Sequence, residues 1–183
     1  LDLPAPPRKW QDILDPECSV MFVDTVQVNT TIRSRLEAEM VVDLILTLLE
    51  GGVPPEEIGV VSPYRAQGRV IRNMLRNVIR DADVYREIVV DTVERMQGQE
   101  REVILVSLAT SSPFFAAELA DFFFQPQRLN VTITRPRTKL IIVGSSHVLR
   151  AQPDDPAFGE WVKLFEDLLR SCSRHTVAYG EDR

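Results

Sequence analysis

Residues 93–107 read VERMQGQEREVILVS, and the change of character within this stretch decides the fold. A polar turn, Gln97-Gly98-Gln99-Glu100, passes directly into the apolar run Val103-Ile104-Leu105-Val106. A continuous Val/Ile/Leu run without alternation marks a strand buried on both faces, as in parallel sheets. With EVILVSLA (102–109), similar runs occur at 19–24 (SVMFVD), 56–63 (EEIGVVSP), 86–92 (REIVVDT) and 139–145 (KLIIVGS). Helical spacing is found at 35–52, which ends in Gly51-Gly52, and at 64–80, with an apolar stripe of Val70, Ile71, Met74, Leu75, Val78 and Ile79. Further helices are expected at 127–134 and 157–170. Strands alternating with helices predict an α/β fold: a mostly parallel sheet with helices on both faces. Ligands of such sheets gather outside the carboxyl ends of the strands. The 97–100 turn precedes one strand but follows another, ending near Asp91, so it starts where a site is expected. Segment 110–127 is less regular, and its Phe114, Phe115, Phe122, Phe123 and Phe124 are expected to cover a core edge or touch another domain.

A chain of 183 residues suits one domain with a core large enough to fold without staples. The expected division is a lead-in linker over 1–18, rich in proline and acids, a domain over 19–172, and a tail over 173–183. The start at Leu1 suggests a piece of something longer. No run approaches the roughly 20 apolar residues of a membrane span, and LDLPAPPRKW lacks a signal-peptide core. No membrane partner is therefore expected, and the location expected is intracellular: cytoplasmic, or nuclear in a eukaryote. Cys18 and Cys172 have no metal-ligand spacing and fit plain thiols in a reducing compartment.

The net charge of −6 argues against a free-standing nucleic-acid binder, which is usually basic. Two islands depart from that average. Tyr64 to Arg80 carries five arginines and no acid, and Pro126 to Lys139 three arginines and a lysine, again without an acid. Arg65, Arg69, Arg72, Arg76 and Arg80 line one helical face, either as a track for a phosphate backbone or as the solvated side of an amphipathic helix. Arg128 and Arg135, two helical turns apart, also share a face.

Phosphate-cradling loops end in Gly-Lys-Ser/Thr, and the chain has no Gly-Lys pair. No Asp-Glu pair follows an apolar strand to hold magnesium, and His147 and His175 alone support neither a triad nor a metal site. This chain is therefore expected not to hydrolyse a nucleotide by itself.

Taken in order, RSRLEAEMV (33–41), SPYRAQ (62–67), VERMQGQE (93–100) followed by a strand, and RLNVTITR (128–135) followed by KLIIVG resemble four motifs of superfamily 1 helicases. The resemblance covers residues 20–148 and is strongest to the RNA-surveillance helicase and its DNA-replication cousins. It implies a RecA-like fold of the P-loop NTPase type, the second, C-terminal of two stacked lobes, without Walker A and B. ATP and Mg2+ would be bound mainly by the N-terminal RecA-like domain of the same parent chain. Single-stranded DNA or RNA would be the other partner, with 5′-to-3′ movement as in that subgroup.

By resemblance Arg135 is the arginine finger on the γ-phosphate and Arg35 its companion. A planar guanidinium suits phosphate oxygens, although Arg35 also has the spacing of an ion pair with Glu39. Glu100, Gly98, Arg65 and Gln97 are implied on the nucleotide side, Glu100 near the ribose and Gly98 admitting the ligand to the backbone; Gln97 could contact either ligand. Thr92, Tyr64 and Gln67 are implied on the nucleic-acid side, with a core role for Tyr64 equally open. The sequence departs from the family pattern at Ser34, Glu94, Thr132 and Pro136. The alternative is a degenerate helicase-like domain that binds or docks without ATP turnover.

Overall fold

A computed structural model of the chain describes residues 10–177. Six strands form one sheet in the order β3-β2-β4-β5-β1-β6, with every neighbouring pair parallel. They are β1 (Val20–Asp24), β2 (Ile58–Ser62), β3 (Val89–Thr92), β4 (Arg101–Ser107), β5 (Pro136–Gly144) and β6 (Ser173–Thr176). The five expected runs each contain a strand. All of β2 is buried, as its unbroken apolar sequence requires.

Two faces bury two cores. Helices α1 (Arg35–Glu50) and α2 (Arg65–Val78) cover one face, with Leu44, Ile45, Ile71 and Leu75 packed on Val60, Val103 and Ile141. On the other, Phe22, Ile104 and Ile142 meet Phe123, Phe124 and Phe165. The last three come from the region of α5 (Ala120–Phe123), which follows α4 (Pro113–Glu118), and from α7 (Pro156–Ser171). Ser34 caps α1 by accepting from the Glu37 amide, and Asp155 caps α7 from Ala157, as N-cap chemistry predicts.

The structure corrects several expectations. The expected linker packs over its described part: Trp10, Ile13 and Leu14 are buried. Trp10 Nε1 donates to Asp43 Oδ2 at 3.1 Å, and buried Lys139 Nζ donates to the carbonyls of Asp15 and Cys18. Burial pulls that lysine down to about 8. The expected tail begins with β6, which adds to β1 and brings Arg174 onto the buried Asp24 carboxylate. Residues 1–9 and 178–183, the remainder of both segments, lie outside the described residues. Arg86 and Glu87, expected in a strand, close helix α3 (Ala82–Glu87), whose cap Asp81 accepts from Asp83 and Val84. Segment 110–127 forms α4, α5 and the start of α6 (Pro126–Ile133). Val78, expected in the apolar stripe, is exposed because it ends α2. Among the described residues no helix is long and apolar enough to cross a membrane.

Candidate functional site

In an all-parallel sheet every strand starts at one edge and ends at the other. The candidate residues divide between those edges.

At the carboxyl edge, the turns after β2 and β3 form an open groove of about 480 Å³. Its walls include Tyr64, Arg65, Thr92, Arg95, Ile32 and Phe122, so Tyr64, Arg65 and Thr92 come together. Tyr64 has both roles open to it: it is half-buried, its hydroxyl accepts from Thr110 Oγ1 at 3.0 Å, and its ring lies 5.7 Å from that of Phe122. Burial raises its phenol.

Gln67 lies beneath this groove and not in it. The side chain is fully buried; its Oε1 accepts from the Ser34 amide at 2.9 Å, and its Nε2 donates to Ser34 O and Ser107 Oγ at 2.9 Å each. Buried, with both amide donors engaged, Gln67 is placed as a structural tie that fastens α1 and α2 to β4 and not as a surface contact. The same network holds Glu37, whose Oε2 accepts from Ser107 Oγ at 2.7 Å and Ala109 N at 2.8 Å. Its Oε1 is buried without a hydrogen-bond partner. Burial raises this carboxyl to about 7, against the pull of those two bonds.

At the amino edge, α6 ends at Ile133 and Pro136 opens β5. Proline cannot continue a helix but is tolerated as the first residue of a strand. Arg135 stands between them, and its carbonyl accepts from the Arg101 amide at 3.1 Å, so Arg135 and Glu100 are brought together. Arg135 Nε donates to Val131 O at 3.2 Å and Nη2 to Thr134 Oγ1 at 3.3 Å. These leave other guanidinium donors of its five uncommitted. Among the described residues no carboxylate pairs with Arg135, whereas Arg137, two positions on, is paired with both Glu57 and Glu102. Thr138 also donates to Glu102. These bonds, led by that of Thr138, hold Glu102 below the usual carboxylate range.

Residues 93–100 join the edges. They leave β3 at Thr92 and enter β4 at Arg101, roughly 20 Å away along the strands at about 3.3 Å per residue. Val93 and Met96 are buried against the sheet. Met96 occupies space that Gly59 leaves open: a Cβ on that glycine would stand 3.1 Å from the Met96 methyl and 2.8 Å from Ile104. Gly98 has φ +74°, and a Cβ there would meet nothing within 4 Å. Backbone conformation, and not crowding, therefore favours glycine at this position. Gln97 and Glu100 are exposed. From this segment Glu94 reaches Arg128 on α6 at 2.6 Å. The Arg128 guanidinium lies 3.8 Å over the Phe122 ring.

Two expected nucleotide contacts, Arg35 and Arg65, lie by the carboxyl edge. Arg35 opens α1, where neighbouring Ser34 and Glu37 bond to Gln67 in α2, to Ser107 at the end of β4 and to Ala109 just after it. Arg135 precedes the nine-residue β5, whose length separates the edges by roughly 25 Å. Arg35 pairs with Glu39 at 2.9 Å with its side chain 82% exposed. Arg65, expected beside the nucleotide, lines the carboxyl-edge groove with Thr92. The five-arginine face is not a continuous track: Arg72 donates to Val90 O at 3.1 Å and Arg76 lies 5.5 Å from the Tyr85 ring centre.

Sequence reasoning missed Glu37, the Glu94–Arg128 pair and the Glu57–Arg137–Glu102 cluster. Arg128 lies on α6 and Arg135 two residues beyond its end at Ile133; seven residues at helical rise advance about 10 Å, enough to associate one with the groove and the other with the amino edge.

Residues 3–147 match the family described as AAA domain. A regulator of nonsense transcripts 1 homolog from Arabidopsis thaliana is 38% identical over 126 residues, 68% of this chain and 10% of the relative. The DNA replication ATP-dependent helicase/nuclease DNA2 of Xenopus tropicalis is 33% identical over 73% of this chain and 13% of the relative. The DNA polymerase alpha-associated DNA helicase A of Saccharomyces cerevisiae is 33% identical over 79% of this chain and 20% of the relative. The chain thus spans a fifth or less of each of these relatives. A solved C-terminal domain of a possible DNA helicase from Lactobacillus superposes with a TM-score of 0.48 at 14% identity, covering 74% of this chain and 81% of that one.

Proposed function

Because the chain belongs to the AAA domain family, in the superfamily 1 branch of RNA-surveillance and DNA-replication helicases, we propose that its two sheet edges serve two ligands. The amino edge faces ATP held with Mg2+ by an N-terminal RecA-like domain of the parent protein. The carboxyl edge holds single-stranded DNA or RNA.

The observation that carries this reading is the course of residues 93–100, from Thr92 in the groove to Glu100 beside Arg135. ATP supplies the phosphoryl group and the free energy of its hydrolysis. Arg135 brings a planar cation to the γ-phosphate, anchored through Nε and Nη2 with other donors to spare. Fixed donors aimed at developing charge stabilise a transition state because they need no reorganisation during the reaction. Glu100 accepts from a ribose hydroxyl, and the bare backbone at Gly98 allows close approach. Gln97 lies between the two ends and could meet either ligand. In the groove, the Arg65 guanidinium and the Thr92 hydroxyl take strand phosphates, which positions the strand without reading sequence; the Thr92 amide is held by Asp91 Oδ1 at 2.8 Å. Movement of the 93–100 segment, tied to α6 through Glu94 and Arg128, communicates between the edges.

The test is Arg135→Ala in the intact protein. ATP turnover should fall by about 10³–10⁵, the range for arginine fingers, with single-strand affinity unchanged. Equal loss of both would move Arg135 out of this role. Retained turnover would likewise remove Arg135 from this role, and no turnover in the unmutated protein would favour the docking alternative.

A further inference from the structure

Among the described residues six large apolar side chains are exposed: Val26, Val28, Ile32, Val78, Phe114 and Leu164. Scattered singly, such residues need no explanation. Four of these six are not scattered. Val26, Val28 and Ile32 lie between β1 and α1, and Phe114 lies in the first turn of α4.

Hydrogen bonds tie these two loops together at the carboxyl edge. The Ser111 and Ser112 amides both donate to Thr30 O at 3.0 Å. Thr30 returns its amide to Ser111 Oγ at 2.8 Å and its hydroxyl to Ala109 O at 2.6 Å. Ser112 Oγ accepts from the Phe115 amide at 3.3 Å. The backbone carrying Phe114 is thus fixed while its ring is 84% exposed. Phe115, the next residue, faces inward with its ring 6.4 Å from Tyr64, a wall of the groove. Ile32 lines the same groove, so the apolar rim adjoins the surface that carries Arg65, Arg95 and Thr92.

Single strands are held by cations along the phosphates together with aromatic faces on which bases stack, a combination blind to base identity. We propose that Phe114 is a base-stacking residue at the rim of the groove, receiving the base of a nucleotide whose backbone follows Arg65 and Thr92. Ile32 and Val28 extend the apolar shelf. The occupant is single-stranded nucleic acid because the apolar rim adjoins a groove whose lining carries Arg65 and Arg95 against one acid, Glu94, itself paired with Arg128, which complements phosphate and base together. This inference rests on the assignment of the groove to nucleic acid.

Binding of the intact protein to labelled oligo(dT), oligo(U) and an abasic oligonucleotide of equal length tests it. Phe114→Ala should weaken the two base-bearing strands about tenfold, within the stacking range, and leave the abasic strand unaffected, while Phe114→Trp should retain binding. An unchanged affinity for base-bearing strands overturns the proposal. So does an equal loss on the abasic strand, the result expected if Phe114 contacts another domain. Arg65→Ala separates the two ideas: it should weaken abasic and base-bearing strands alike, and no effect on either would remove the groove assignment itself.

Discussion

The two edges of the sheet are built from opposite materials. The carboxyl edge rests on a buried, largely uncharged network in which Gln67, Ser34, Ser107 and Glu37 exchange hydrogen bonds. The amino edge is laced by exposed or half-exposed ion pairs, Arg137 with Glu57 and Glu102. Buried polar networks are costly when incomplete and rigid when satisfied. Surface pairs contribute little each and adjust readily to a neighbour. A groove for a strand of any sequence gains from a rigid floor, and a surface that a second lobe must approach and leave gains from weak, exchangeable charges.

The largest expected effect separates the edges chemically: the loss of turnover, without loss of strand affinity, on Arg135→Ala. The next distinguishes them by pH. Glu37 titrates near 4.5 when unfolded and about 7 when folded, so the folded chain holds its proton more tightly. Stability from this group is full below pH 4.5 and is lost as pH rises towards 7, by about 3 kcal/mol at about 1.4 kcal/mol per pH unit. Glu102, held low by its partners, acts in the reverse sense and weakens the fold as pH falls. Denaturant unfolding at pH 5 and pH 8 should therefore show Glu37→Gln gaining on wild type at the higher pH. A constant difference across that interval would show that Glu37 is ionised throughout. The smallest effect concerns Arg35. Its exposed pair with Glu39 is worth about 0.3–0.5 kcal/mol; if that pair is its whole role, Arg35→Ala should leave ATP turnover within about twofold. A loss comparable with that of Arg135→Ala would restore it as a second finger.

Much of the fold was legible because burial on both faces leaves an unmistakable record: Val103 to Val106 and Leu140 to Val143 could be little else. Pairing order was not legible, nor was β6, since SRHT carries no apolar signal and is held by backbone bonds to β1 and by Arg174 on Asp24. The lead-in segment misled because its prolines suggested a linker, whereas Trp10, Ile13 and Leu14 supplied the packing.

At the site, Arg135, Glu100, Thr92 and Tyr64 were singled out through motif order, and the structure groups them in two pairs. Arg35, Arg65 and Gln67 were singled out in the same way; the structure sets them by the carboxyl edge, with Gln67 buried. Motifs give residue identity and sequence distance, but not the edge of a parallel sheet on which a residue falls, nor whether its amide is already used inside. Glu37 left no trace in the sequence because a buried carboxyl on α1 looks like any other acid of an amphipathic helix.

The central claim is that residues 93–100 connect two ligand sites at opposite edges. Amide hydrogen exchange in the intact protein, with a non-hydrolysable ATP analogue or with a single strand added separately, tests it most directly. The analogue should slow exchange at Gly98 to Arg101 and the strand at Thr92 to Glu94, with protection spreading along the whole segment when both are present. Protection of the same end by both ligands, or of neither end by one of them, would contradict the account.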